Sequence, residues 1–144
     1  MENYELDLTD WEKSVGKIVS SVARLEGELL LKYETHKSLS RTRYFKTDDT
    51  LGQRFEVVKE LYTLECGTSP QSEKLFNEFK ELVALRNLVA HNPVYYEGDG
   101  FRITNGQSKS KFLTLNQISD LAENAFSTGL QLSVLFRVWA VNES

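Results

Sequence analysis

The stretch SPQSEKLFNEFKELVALRNLVAHNP, residues 69–93, decides how the chain is read. Ser69 followed by Pro70 supplies a helix cap and a proline at the first helical position, where its missing N–H is harmless. Leu75, Phe76, Phe79, Leu82, Val83 and Val89 then recur at helical spacing as far as His91. Pro93 closes the segment, because the residue before a proline, here Asn92, is pushed out of the α region. Outward from this helix the same logic predicts three more. Thr9-Asp10-Trp11-Glu12 reads as a capping box opening a helix over 10–36, with Val15, Ile18, Val19, Val22, Leu25, Leu29, Leu30 and Tyr33 on its stripe. Thr50-Leu51-Gly52-Gln53 opens a second that ends near Cys66-Gly67, and Thr114-Leu115-Asn116-Gln117 opens the last. On that last helix Ala122, Ala125 and Gly129 are small enough to admit a close neighbour. Val94–Glu97 and Phe101–Thr104 flank Gly98-Asp99-Gly100 and read as a β-hairpin lying against the helices. Asn105–Lys111 reads as a polar linker. The expected fold class is all-α: one domain over 1–144, a four-helix up-and-down bundle with a short β-hairpin inserted between the third and fourth helices.

Composition narrows the chemistry. The 144 residues carry 17 Lys+Arg against 21 Asp+Glu, a net charge of −4, which argues against a protein that coats nucleic acid unspecifically. A single cysteine, Cys66, rules out an internal disulfide and a thiolate-cluster zinc site, and His36 and His91 are too few for a His-rich metal centre. No metal and no cofactor are expected. The longest charge-free stretch, Asn124–Phe136, falls short of the ~18–20 residues a membrane helix needs. The acidic start MENYELDLTD reads as neither a secretory signal nor a transit peptide, so the expected location is cytoplasmic. Gly98-Asp99-Gly100 lacks the following helix and lysine of a phosphate loop, and Asp48-Asp49 reads as helix capping.

One residue breaks the pattern of the third helix. At ~100° per residue, Arg86 falls among Leu75, Phe79, Leu82 and Val89. A guanidinium cannot shed its proton, so a buried Arg86 needs a partner or a cleft. Glu26 sits in the apolar stripe of the first helix and is a candidate partner; the structural reading is a buried Glu26–Arg86 ion pair. The functional reading rests on Arg86-Asn87-Leu88-Val89-Ala90-His91. Asn87 and His91 are stacked neighbours four residues apart, whereas His91 lies ~140° round the helix from Arg86. Two copies of the chain bring such groups together more naturally than one. A bland role for His91 is to cap the helix C-terminus.

Arginine, four residues, then histidine, with polar Asn87 after the arginine and the whole near a helix end, resembles the R-x4-H motif of the HEPN superfamily. The four-helix layout, covering essentially the whole chain, is similar to a minimal HEPN domain. The resemblance implies a homodimer whose two motifs face each other across a composite cleft. It further implies metal-independent cleavage of single-stranded RNA, leaving a 2′,3′-cyclic phosphate, in a toxin or antiviral-defence effector. By position His91 would be the general acid or base, Arg86 would stabilise charge on phosphorus, and Asn87 would orient the pair or the phosphate. An antitoxin or other regulatory partner protein would accompany such an enzyme. One subgroup carries a tyrosine two residues after the histidine; here that position is Pro93.

RNA contacts are expected from the segment His36–Lys46, HKSLSRTRYFK, where Lys37, Arg41, Arg43 and Lys46 flank Tyr44 and Phe45. Cations for phosphates and rings for bases suit single-stranded RNA; the plain alternative is that Tyr44 and Phe45 plug the core. Arg102, Lys109 and Lys111 form a weaker cationic group. Beside the nuclease stand two other readings: a non-catalytic HEPN-type module that binds a partner protein or nucleic acid, and an unrelated helical bundle with an accidental motif.

Overall fold

The computed structural model describes residues 2–39, 44–105 and 110–139. It contains α1 (Glu2–His36), a 3-10 turn (Lys37–Leu39), α2 (Leu51–Cys66), α3 (Pro70–His91), β1 (Val94–Tyr96), β2 (Gly100–Thr104), β3 (Ser110–Thr114) and α4 (Leu115–Val138). Three helix starts follow from their caps. Thr50 Oγ1 accepts from the Gln53 amide at 3.2 Å while Gln53 Oε1 accepts from the Thr50 amide at 2.8 Å. Thr114 and Gln117 repeat the exchange at 3.1 and 2.9 Å, and Ser69 with Ser72 does so at the start of α3, with Pro70 in the first turn. Each cap satisfies amides that the helix cannot, worth about 1 kcal/mol.

The first helix departs from the expected start at residue 10. It begins at Glu2, and Thr9 Oγ1 donates back to the Glu5 carbonyl at 2.9 Å, as a hydroxyl inside a helix does. The extra turns are held by the sheet: the Tyr96 hydroxyl donates to Asp7 at 2.7 Å, and the Tyr4 and Tyr96 rings lie 5.1 Å apart. The expected hairpin is a three-stranded antiparallel sheet in the order β1-β2-β3. Its third strand uses the end of the segment read as a linker, because Leu113 pairs with Phe101 and enters the core. Gly100 is required there, since a Cβ would meet the Leu113 carbonyl at 2.3 Å.

The helices do not alternate up and down. Lys17 pairs with Glu123, Leu25 packs on Gly129, Ser133 donates to Glu28 at 2.9 Å, and Lys32 donates to the Trp139 carbonyl at 2.7 Å. Both numbers climb together, so α1 and α4 are parallel neighbours. The buried Ala122, Ala125 and Gly129 give α1 its close approach. Residues 44–50 supply the physical reason for the departure. They lie beside α1, with Phe45 stacked on Tyr33 at a ring-centroid distance of 3.6 Å, so Leu51 starts near Leu29 and Leu30. α2 then climbs to the same end as α1, where Glu65 meets His36. α3 descends, with Phe79 against Phe55 and Phe76 against Tyr62, and α4 ascends antiparallel to it through Thr128 and Glu78. The sheet closes the lower end over Trp11, whose ring is 4.8 Å from Phe101. Among the described residues no helix is long and apolar enough to cross a membrane.

Candidate functional site

α3 carries Arg86, Asn87 and His91 into its last two turns. Leu82 and Val89 are its last buried residues, and between them Val83, Leu85 and Leu88 pack only partly buried against the core. Arg86 is therefore half-buried rather than central, while Asn87 and His91 are exposed. The Arg86 Nε–H donates to Asn87 Oδ1 at 3.0 Å. That bond uses Nε, and no ion pair of Arg86 forms among the described residues. His91 is not the capping group. Asn92 takes that role, its side-chain amide donating to the Leu88 carbonyl at 3.0 Å with the backbone extended at φ −118° before Pro93.

The expected Glu26–Arg86 ion pair does not form among the described residues. Leu25 is level with Gly129 and Glu78 with Thr128, so Arg86, further down α3, lies about 15 Å along the axis from the level of Glu26. Glu26 instead lines a cleft of 110 Å³ with Leu29, Leu30, Phe45, Leu51 and Arg54. The Arg54 guanidinium stands 5.5 Å above the Phe45 ring. Arg86 is thus not consumed by a buried partner.

The basic segment sits elsewhere. Lys37 is paired with Glu34 at 2.8 Å, a contact that raises its pKa above the ordinary lysine value. Tyr44 is 61% exposed, whereas Phe45 is stacked on Tyr33 and takes the core-plugging role. Lys46 is exposed, its amide donating to Asp49 at 2.7 Å. Arg41 and Arg43 lie outside the described residues. The described residues of the segment occupy the upper end, roughly 30 Å along the helices from His91, so one chain does not bring them to His91. Of the second cationic group, Arg102 is held by Glu97 at 2.7 Å, Lys111 borders a groove, and Lys109 lies outside the described residues. The groove, of 620 Å³ between α3 and α4, has Leu82, Leu85, Leu88 and Leu121 as its apolar lining and Glu78 and Glu81 near one end.

A cluster that the sequence reading missed closes the upper end. His36 is fully buried, its Nδ1 2.6 Å from Glu65 Oε2 and its ring stacked on Trp139 at 4.0 Å and 20°. The contact has the reach of an ion pair without the alignment of a hydrogen bond, and Nε2 has no partner. Tyr62 meets Trp139 edge-on at 5.3 Å, and Lys32 lies over the same indole. Burial, then the charge of Glu65, pushes the Cys66 thiol up, with Lys32 opposing. Nothing in the sequence marks this set, because its members come from three separate helix ends. Among the described residues no group of three or more His, Cys, Asp and Glu is placed to hold a metal ion. Comparison with protein-family models, with curated proteins and with solved structures gives no match.

Proposed function

We propose that the chain is a homodimeric HEPN-type endoribonuclease, a toxin or antiviral-defence effector that cleaves single-stranded RNA without a metal ion. The observation that carries the reading is the state of Arg86: bonded to Asn87, open to the surface, and free of the carboxylate that would have made it structural. In the proposed site two α3 ends face each other, because Arg86 and His91 lie ~140° apart on one helix and meet across a two-fold axis. His91 of one protomer takes the proton of the ribose 2′-OH, and the 2′-oxygen attacks phosphorus. The Arg86 guanidinium neutralises charge on the non-bridging oxygens as the P–O5′ bond breaks. The leaving 5′-oxygen receives a proton from the second imidazole, which leaves a 2′,3′-cyclic phosphate and a 5′-hydroxyl. The 2′-OH is the nucleophile, so DNA is not a substrate. A protein antitoxin or activator would act by covering or aligning this interface.

The experiment is cleavage of single-stranded RNA in EDTA by wild type, Arg86→Ala and His91→Ala. Cleavage by wild type, lost in both variants while folding is retained, supports the reading. Intact RNA with dimeric wild type refutes it and leaves a binding module, and cleavage that survives His91→Ala refutes the assignment of His91.

A further inference from the structure

We propose that the outward face of the sheet is a stacking surface for the bases of single-stranded RNA, leading the strand toward His91. This rests on the RNA reading above and deepens it. The register places Tyr95 opposite Arg102 and Arg102 opposite Phe112, so the three form one row across β1, β2 and β3. The other face carries Phe101, Ile103 and Leu113 into the core, which fixes the row outward. Tyr95 is 50% exposed.

Glu97 organises the row. Its carboxylate accepts from Arg102 Nε at 2.7 Å, while Arg102 Nη1 donates to Ser110 Oγ at 3.2 Å. The guanidinium plane then stands 5.5 Å over the Phe112 ring. Phe112 lies across Gly100, where a Cβ would come within 2.9 Å of its Cζ, so the absent side chain makes room for the ring. Planar groups fixed in advance bind flat bases with little ordering cost. Because Glu97 balances the charge of Arg102, this face holds bases by stacking more than it holds phosphates by charge. It also adjoins the cleavage residue. The Thr104 amide donates to the Pro93 carbonyl at 3.0 Å, so pairing starts two residues after His91, and Tyr95 is within about 13 Å of it along the chain.

The test uses full-length His91→Ala protein, so that RNA stays intact, with fluorescence anisotropy of a labelled oligouridylate. Adding Tyr95→Ala should weaken binding about tenfold, with an unchanged slope of affinity against salt; Tyr95→Phe should restore it. Phe112→Ala should weaken binding similarly and is read beside its melting curve, because the ring is half-buried. Affinity unmoved by Tyr95→Ala overturns the proposal. So does a Tyr44→Ala variant that loses more than Tyr95→Ala, which would place the strand on the upper loop. Wild type that fails to cleave, together with a Tyr95-dependent affinity, sinks the nuclease and keeps the surface. Cleavage with a KM indifferent to Tyr95→Ala does the reverse.

Discussion

Replacing His36 by Phe separates what the buried cluster does by shape from what it does by charge. Phenylalanine keeps a flat ring on Trp139, 4.0 Å away in the native pair, and fills a similar volume. It strands the Glu65 carboxylate, whose side chain is only 15% exposed. Breaking a buried pair from one side costs about 3–5 kcal/mol; the residual solvent contact of Glu65 reduces that to about 2–3 kcal/mol. Glu65→Leu leaves the buried imidazole without its partner and costs about 1 kcal/mol. The double variant replaces the whole pair by apolar groups and should return to within about 1 kcal/mol of wild type. The cycle thus carries a coupling of about 2 kcal/mol. Chemical denaturation followed by circular dichroism reads it directly. In thermal melts, at about 3 °C per kcal/mol for a chain of this size, His36→Phe should lose about 8 °C and the double variant under about 3 °C. Losses that add in the double variant would show that His36 and Glu65 are not a coupled pair.

Arg86→Ala should cost less than about 1 kcal/mol, because a half-exposed side chain loses one hydrogen bond to Asn87; a loss of about 3 kcal/mol in urea unfolding would reinstate a buried ion pair. The Cys66 thiol, pushed up by burial and by Glu65, should alkylate with iodoacetamide at pH 8 more slowly than a cysteine in an unstructured peptide. Glu65→Gln removes one cause and should speed the reaction, and an unchanged rate would remove Glu65 from that account. The Arg102 hydrogen bond holds the Glu97 carboxyl below the usual glutamate range. That contribution to stability is present above the ordinary pKa of about 4.3 and disappears as pH falls through the lowered value. An NMR titration should show Glu97 moving up in Arg102→Gln, and an unmoved midpoint would contradict the pairing.

Local chemistry was legible and direction was not. Thr50 with Gln53, Thr114 with Gln117, and Ser69 with Pro70 mark helix starts by residues a few positions apart, and all three stand where the sequence puts them. Thr9 and Glu12 have the same letters, yet α1 runs through them, because Asp7 and Tyr4 are held by Tyr96 from the far end of the chain. Periodicity says which side of a helix is apolar but not which way the helix runs. α2 starts beside Leu29 and Leu30 rather than at the end of α1, a placement that the length of the connection allows and periodicity does not reveal. Ser110–Thr114 is polar at one end and escaped notice as a strand; its pairing with β2 is what makes Leu113 a core residue.

The candidate site could be named from sequence because Arg86, Asn87 and His91 are neighbours in sequence. A helical wheel assumes one buried side throughout, and that assumption put Arg86 in the core. In α3 full burial stops at Leu82 and resumes at Val89, while Leu85 and Leu88 between them pack partly buried on the core and line the groove. An arginine in that interval is neither core nor plain surface, which is where a side chain can be held by Asn87 and still face an incoming anion. His36 shows the converse. It was counted among groups too few for a metal site, and its stacking on Trp139 and contact with Glu65 depend on three helix ends meeting. The two histidines therefore divide the molecule. One is sealed into the upper end, where it affects stability, and the other stands open at the lower end beside the sheet, where chemistry with an external substrate is sterically allowed. That division is why substitutions at His36 and at His91 should affect different measurements.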